Sequence, residues 1–254
     1  MQRWIPLPGA PEGLPGNFSS AWNTLRGEVV DRNRLRHVER VDREGTVFFV
    51  KFFHRPRFHD LARNLLIPPK AFSQAEREAR AAGLLEEAGL RAVPMAAYGE
   101  ERFGPFERRS LLVTVEVKAP TLGEVLRKEP GRAASLASDL EDLLERLLRG
   151  GIYLPDLSLE HILLPPEGGL VLLDLHNARK VRRWTRARLA KMLGRLWAGA
   201  KGSVHPFAAL RFAGGILGGL GGREFQRAVL AEAARRGNRW EKRESRKRPE
   251  GRTA

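Results

Sequence analysis

The chain has 254 residues, of which 42% are hydrophobic, enough for one domain of two lobes or for two small domains. It contains no cysteine, which excludes disulfides, thiolate metal sites and a thiol nucleophile and suits a reducing compartment. Residues 1–20 hold four prolines and no apolar run, so they do not form a signal peptide. The weakly polar stretch 206–222 is rich in glycine and contains Arg211, which excludes a membrane-spanning helix there.

The formal net charge of +15 is concentrated in two segments. Residues 176–195 contain eight basic residues and no acid, and a second basic run begins at Arg239. Such clusters attract phosphate-rich surfaces, which include nucleic acid, anionic lipid and phosphorylated saccharides. A solvated arginine-rich surface is the simpler alternative. The internal cluster consists of Arg179, Lys180, Arg182, Arg183, Arg186, Arg188, Lys191 and Arg195.

Residues 1–30 are predicted to be a poorly specified lead-in. Two β-rich runs follow at 35–41 and 46–53, joined by a turn at 42–45. The second run places Lys51 inside an otherwise apolar strand, where its charge costs free energy unless an anion lies beside it. An edge strand that points Lys51 into solvent is the alternative.

Residues 73–88 are predicted to form a helix, because Ser73 and Glu76 form a capping box and Gly89 follows as a stop signal. Its inward face carries one charge, Glu78, which is the anion that Lys51 requires. A tolerated, half-exposed glutamate is the alternative. The four residues that share this face are Ala75, Glu78, Ala82 and Leu85.

The chain from residue 94 onward alternates short strands with amphipathic helices. A strand at 111–115 runs into Glu116 and Val117, a polar linker whose backbone groups are expected to bind adenine. Helices are predicted at 132–148, 183–202 and 223–236, with a glycine-rich break at 214–222. The tail from residue 238 is charged and is predicted to be disordered.

Two short apolar runs at 162–164 and 170–173 flank a Pro-Pro-Glu-Gly-Gly turn, which predicts a hairpin. Its open ends carry His161 and Asp174, and Asp156 lies five residues before the first strand. This spacing is the arrangement of a protein-kinase catalytic loop and its metal-binding aspartate. Two solvated carboxylates, one in a turn and one at a strand end, are the alternative.

With Lys51, Glu78, Asp156 and Asp174 in this order, the chain resembles the lipopolysaccharide kinase family of Kdo and inner-core heptose kinases, over residues 27–200. The strand that ends at Lys51 and the helix that carries Glu78 match the family. So does His161, which stands where ordinary kinases have asparagine. The most specific match is Asp-Leu-His at 174–176, which resembles the family's replacement for Asp-Phe-Gly.

The resemblance implies an α+β, two-lobed, protein-kinase-like fold: a small β-rich N-lobe with one helix at 31–117, a mainly helical C-lobe at 118–237, and a basic tail at 238–254. It implies an ATP-dependent kinase that phosphorylates a heptose or Kdo hydroxyl of the lipopolysaccharide inner core. Asp156 would act as the base, and Asp174 with His161 would hold Mg²⁺ or Mn²⁺. Lys51 and Glu78 would bind the ATP phosphates around a cleft shared with these residues.

The expected partner is a lipid-linked core saccharide, and no nucleic acid is expected because no aromatic residues are interleaved with the arginine clusters. The basic segments would hold the enzyme at the inner face of the cytoplasmic membrane.

Two departures keep alternatives open. Leu154 and Pro155 stand where kinases have His-Arg, and no glycine-rich loop precedes Lys51. Arg32, Arg34 and Arg36 surround the corresponding turn and are expected either to contact phosphates or to be solvated. The alternatives are a pseudokinase-like binding module and a kinase for another small molecule.

Overall fold

The computed structural model describes residues 1–54, 72–104 and 106–247, and it divides into two compact units. The first unit comprises Met1–Gly83 and Ala92–Lys118, and the second comprises Leu84–Arg91 with the chain from Ala119 onward. The first is built on a β-sheet and the second is mainly helical. The predicted α+β class is therefore confirmed.

The first unit contains six long strands: β1 (Gln2–Pro6), β2 (Glu28–Arg32), β3 (Arg36–Arg43), β4 (Thr46–Phe53), β6 (Met95–Phe103) and β7 (Phe106–Val115). They form an antiparallel sheet with the order β1-β6-β7-β4-β3-β2. The predicted turn between β3 and β4 is present as a two-residue loop, in which Glu44 and Gly45 have φ of 53° and 80°. Two successive left-handed residues match the twist of a hairpin. The short β5 (Arg91–Ala92) lies at the unit boundary.

Helices lie on both faces of this sheet. Side chains alternate along β4, so Phe48, Val50 and Phe52 point to one face, where α1 (Phe18–Thr24) packs its Phe18 and Trp22. Phe53 points to the opposite face and packs against Ala75 of α2 (Gln74–Glu87). Lys51 shares this second face because it lies two residues from Phe53.

The prediction that residues 1–30 are a lead-in is wrong. β1 pairs with β6 from Gln2↔Glu101 to Pro6↔Ala97, and α1 buries Phe18 and Trp22 in the core. The prolines misled the prediction, because they lie at the end of β1 or in the loop before α1 rather than inside an element. The single helix expected in this unit is accordingly joined by α1.

The second unit places short strand pairs among helices. β9 (Ile162–Leu163) and β10 (Val171–Leu172) form the predicted hairpin, and Gly168 and Gly169 supply positive φ in its turn. β8 (Ile152–Tyr153) pairs with β11 (Arg179–Lys180). A 3₁₀ turn at Leu159–His161 precedes β9. The helices are α3 (Leu122–Lys128), α4 (Ala133–Arg149), α5 (Arg186–Ala200), α6 (Pro206–Leu217) and α7 (Arg223–Lys247), with a further 3₁₀ turn at Pro130–Arg132.

α5 and α7 pack closely through glycine. A Cβ at Gly194 would lie 2.6 Å from the Ala233 carbonyl oxygen, and one at Gly237 would lie 2.7 Å from the Gly194 carbonyl oxygen. Each contact leaves no room for a side chain, so the two helix backbones approach directly.

Two predictions about the C-terminal part are wrong. Disorder was expected from residue 238, but α7 continues through 238–247; residues 248–254 lie outside the described part of the chain. The glycine-rich break was expected from 214, but α6 continues to Leu217 because its apolar face buries Ala213, Ile216 and Leu217. None of the helices in the described ranges is both long and apolar enough to cross a bilayer.

Candidate active site

Lys51 and Glu78 meet in the first unit, as their positions on a strand and a helix predict. The Lys51 Nζ lies 2.5 Å from Glu78 Oε1, and the two side chains are 13% and 2% exposed. Of the predicted capping box, the bond from the Glu76 N–H to the Ser73 Oγ forms at 3.2 Å, whereas the Glu76 carboxylate pairs with Arg80. Lys51 is therefore oriented by a buried carboxylate.

The Glu78 carboxylate can accept a further hydrogen bond. Its second oxygen, Oε2, is buried and has no hydrogen-bond donor within the described part of the chain. Removing Lys51 would leave a buried charge without compensation, which is strongly unfavourable. The buried Glu78 carboxylate therefore fixes the position of the Lys51 ammonium group.

The segment expected to bind adenine, Glu116 and Val117, directly follows β7. The Glu116 N–H donates to the Val47 carbonyl at 2.9 Å, and the Glu116 carboxylate lies 3.5 Å from Arg40 Nε. Glu116 can therefore offer adenine its carbonyl oxygen and not its N–H. Adenine binding by Glu116 and Val117 stays a prediction. Phosphate binding by Arg32, Arg34 and Arg36 also stays a prediction.

Asp156 lies in the second unit, in the loop between β8 and the 3₁₀ turn. Its Oδ1 lies 3.2 Å from the Arg195 Nη2, and its Oδ2 accepts a hydrogen bond from the Asn177 amide at 2.5 Å. The carboxylate is 17% exposed. Asp156 is thus an accessible carboxylate whose orientation is set by two side chains from elsewhere in the sequence.

Asp174 ends the hairpin with φ of 53°, a left-handed backbone that is uncommon outside glycine. Its Oδ1 lies 2.8 Å from the His176 Nδ1. The His176 Nε2 in turn lies 2.6 Å from the Asn177 amide nitrogen. Asp156 and Asp174 are therefore brought together by one chain of hydrogen bonds through His176 and Asn177.

Tyr153 and Trp184 pack against each other where the Asp156 loop begins. The Trp184 indole donates to the Leu148 carbonyl at 2.9 Å and meets the Tyr153 ring edge-on. Burial raises the pKa of the Tyr153 hydroxyl, which outweighs the opposite effect of Arg179 beside the ring. Tyr153 therefore stays neutral at physiological pH.

His161 is suited to hold a cation through one nitrogen. Its Nδ1 lies 2.9 Å from the Asp156 carbonyl oxygen, which can only accept, so Nδ1 carries the proton. In the neutral ring, Nε2 then presents a lone pair. Imidazole suits Mn²⁺ better than Mg²⁺.

No group of three candidate metal ligands exists within the described residues. A nucleotide-bound Mg²⁺ takes one or two protein carboxylates and completes its shell with phosphates and water. Asp174 can supply such a carboxylate, so the donor set fits the ion.

Sequence reasoning missed Asn177 and the role of Arg195. Asn177 directly follows the Asp-Leu-His motif, and this position was the available signal. Arg195 was assigned to the basic cluster, yet its guanidinium contacts both the Asp156 carboxylate and, at 3.4 Å, the Asp156 carbonyl. Arg195 lies 39 residues after Asp156, and its neighbours in the sequence do not indicate this contact.

Most of the remaining basic cluster faces solvent. Arg186 pairs with Glu232 at 3.1 Å. Lys180, Arg182 and Arg183 are exposed, and within the described ranges no carboxylate lies within salt-bridge distance of them. These three residues, here called the basic patch, are accessible to an anionic partner.

Comparison with known proteins identifies this architecture. The model of the lipopolysaccharide kinase (Kdo/WaaP) family matches residues 20–202. Lipopolysaccharide core heptose(I) kinase WaaP from Pseudomonas aeruginosa is 27% identical over 203 residues, covering 69% of this chain and 75% of that protein. The Escherichia coli protein of the same name is 26% identical over 187 residues, covering 63% and 68%.

A solved structure, WaaP in complex with acyl carrier protein, matches with a TM-score of 0.68 at 21% identity. It covers 96% of this chain and 98% of the matched chain, which establishes a shared fold and confirms the predicted kinase-like class. Since the family model spans most of its length, the chain belongs to the lipopolysaccharide kinase (Kdo/WaaP) family and is an ATP-using phosphotransferase that acts on a sugar hydroxyl.

Proposed function

We propose that the protein transfers the γ-phosphoryl group of ATP to a heptose hydroxyl of the lipopolysaccharide inner core. The observation that carries the proposal is the hydrogen-bonded chain that joins Asp156 to Asp174 in a member of this family. Heptose is favoured over Kdo because both curated relatives are named heptose(I) kinases.

Asp156 is the proposed base. The acceptor hydroxyl oxygen attacks the γ-phosphorus, the bond from this phosphorus to the bridging oxygen breaks, and ADP leaves. The hydroxyl proton passes to the Asp156 carboxylate, whose oxygens each have a second lone pair beyond the contacts to Arg195 and Asn177. Catalysis of this type depends on positioning and electrostatics more than on covalent chemistry.

Lys51 and Asp174 would manage the charge of the triphosphate. Lys51, held by Glu78, would bind the α- and β-phosphates. Asp174, with His161 as a further donor, would hold Mg²⁺, which supplies neutralisation of phosphate charge when bound.

An ATP-consumption assay on defined heptose and Kdo core acceptors tests this function. We expect turnover with heptose acceptors and its loss in Asp156→Ala. Turnover with Kdo acceptors alone would refute the heptose assignment. ATP binding without turnover on any core acceptor would instead support the pseudokinase-like alternative, which the apolar Leu154 and Pro155 motivate.

The basic patch is proposed to hold the enzyme on an anionic membrane surface beside its lipid-linked acceptor. Exposed basic residues contribute about 1 kcal/mol each to such binding. Sedimentation with anionic and neutral vesicles should show weaker binding to anionic vesicles when Lys180, Arg182 and Arg183 are changed to Gln. The control changes three exposed basic residues outside the patch, Arg108, Lys128 and Arg149, to Gln. Equal loss in both variants would show a general charge effect. An added deletion of residues 248–254 tests the part of the basic tail that follows α7.

The second unit also contains an apolar cavity of about 600 Å³ lined by residues of α3 to α7. This volume lies within the range of about 300–1,000 Å³ typical of ligand sites. The matched WaaP structure is a complex with acyl carrier protein. We propose that the cavity receives the acyl chain of an acylated carrier protein. Side chains that line it include Leu126, Leu136, Leu140, Trp197, Phe212 and Leu230.

Binding measurements with acylated and unacylated carrier protein test this partner. We expect the acylated form to bind more tightly and to raise the melting temperature. Ala137→Phe, which places a ring at the cavity wall, should remove that difference. Equal binding of both forms to the wild type would refute acyl-chain recognition.

A further inference from the structure

Arg195 contacts the Asp156 loop at two points. The guanidinium lies 3.2 Å from the carboxylate Oδ1 and 3.4 Å from the backbone carbonyl oxygen of the same residue. A single side chain therefore restrains both the backbone and the side chain of Asp156. Arg195 presents a planar set of donors, which suits such a two-point contact better than lysine would.

Asn177 restrains the other carboxylate oxygen, and its own orientation is determined by its neighbours. Its amide nitrogen has two protons, one directed to Asp156 Oδ2 and the other to His176 Nε2. His176 Nδ1 faces the Asp174 carboxylate, which can only accept, so Nδ1 carries the proton and Nε2 accepts. Each donor in the chain thus meets one acceptor.

The residues beside Asp156 cannot provide this orientation. Leu154, Pro155 and Leu157 are buried and have no side-chain polar atom. Arg195 is itself supported, since its guanidinium carbon lies 5.4 Å from the centre of the Trp240 ring on α7. The anchors of the loop therefore come from α5, supported by α7, and from the segment after Asp174.

We propose that Arg195 and Asn177 are positioning residues for phosphoryl transfer. They hold the Asp156 carboxylate in the orientation that accepts the proton of the acceptor hydroxyl. They thereby replace the local anchoring that Leu154 and Pro155 cannot supply. This inference rests on the proposed role of Asp156 as the base.

Steady-state kinetics on Arg195→Met and Asn177→Leu provide the first test. Loss of a positioning contact should lower kcat by about 10- to 100-fold. The KM for ATP and the melting temperature should stay close to wild type, and Arg195→Lys should recover part of kcat. Arg149→Met is the matched control, because Arg149 is an exposed arginine paired with Glu145. Unchanged kcat in both Arg195→Met and Asn177→Leu would overturn the proposal.

A double-mutant cycle with Asp156→Asn separates positioning from a general structural role. If Arg195 acts through the Asp156 carboxylate, Arg195→Met should have little effect once Asp156 is already Asn. The same fold-loss in both backgrounds would overturn the inference. If Arg195→Met fails to fold, the cycle is run with Asn177→Ser. An inactive wild type would refute the proposed function as well, whereas an active wild type with additive effects would refute only the positioning role.

Discussion

Charged side chains are held in position by different means in the Lys51–Glu78 pair and at Asp156. Lys51 and Glu78 lie on regular elements, are nearly enclosed, and form one short contact of 2.5 Å. Asp156 lies in a loop, is 17% exposed, and is oriented by Arg195 and Asn177 from distant parts of the sequence. The first arrangement positions one cation through burial, and the second positions a carboxylate through several polar contacts.

This difference predicts how each region responds to substitution. A buried ion pair that loses one partner leaves an uncompensated charge inside the fold, so the free energy of unfolding should fall. A partly exposed carboxylate such as Asp156 that loses a contact can hydrogen-bond to water instead, so stability should hardly change while catalysis falls. The following substitutions test that contrast.

Asp156→Asn should have the largest effect on activity. It removes the base but keeps the shape of the side chain, so kcat should fall by about 10²- to 10⁴-fold. ATP affinity and melting temperature should stay near wild type. Asp142→Asn, at an exposed aspartate paired with Arg146, is the control. Near-normal turnover of Asp156→Asn would remove the proposed role.

Lys51→Met should lower the free energy of unfolding by about 3–5 kcal/mol, because Glu78 is left buried and unpaired. The double variant Lys51→Met/Glu78→Gln should regain most of that stability without regaining turnover. Urea denaturation and the ATPase assay measure the two properties on the same samples. A double variant no more stable than Lys51→Met would contradict the account of the pair.

Trp240→Ala tests whether α7 supports the Asp156 group through Arg195. A cation–π contact of about 0.5–1 kcal/mol corresponds to a loss of about 2- to 5-fold in kcat. Phe207→Ala, at an exposed aromatic residue, serves as the comparison. If kcat is equal in the two variants, α7 has no part in positioning Arg195.

Glu39→Gln should have the smallest effect and a pH-dependent one. Burial alone would raise the pKa of Glu39, but bonds from the Gly27 N–H, His37 and Arg26 outweigh it and hold the pKa below its usual value of 4.5. Its contribution is therefore complete above about pH 4.5 and is lost as the pH falls further.

The variant should consequently be less stable at pH 7, by on the order of 1 kcal/mol. The difference from wild type should shrink in acid. Thermal unfolding at several pH values measures it, and a difference that grows below pH 4.5 would contradict the assignment.

The predictable parts of the site lie where periodicity is strong. Lys51 breaks an apolar strand and Glu78 breaks an apolar helix face, so each was visible as an exception that needed a partner. The hairpin that ends at Asp174 was visible from two apolar runs around a glycine turn. In each case the pattern of apolar residues in a strand or helix indicates the direction in which a side chain points.

The parts that were missed depend on packing between distant segments. Arg195 lies among other basic residues of α5, and only the approach of the Asp156 loop distinguishes it from them. β1 was missed because its backbone pairs with β6, about 95 residues further along the chain. Such contacts leave no periodic pattern in the sequence.

Phosphoryl transfer to a defined heptose acceptor, followed by NMR of the product and compared with nucleotide binding, is the decisive test of the proposed reaction. The wild type should form a new phosphomonoester on a heptose hydroxyl. Asp156→Asn should form it at least about 100-fold more slowly, with nucleotide bound by both. A wild-type protein that binds ATP and leaves every core acceptor unmodified would contradict the proposed reaction.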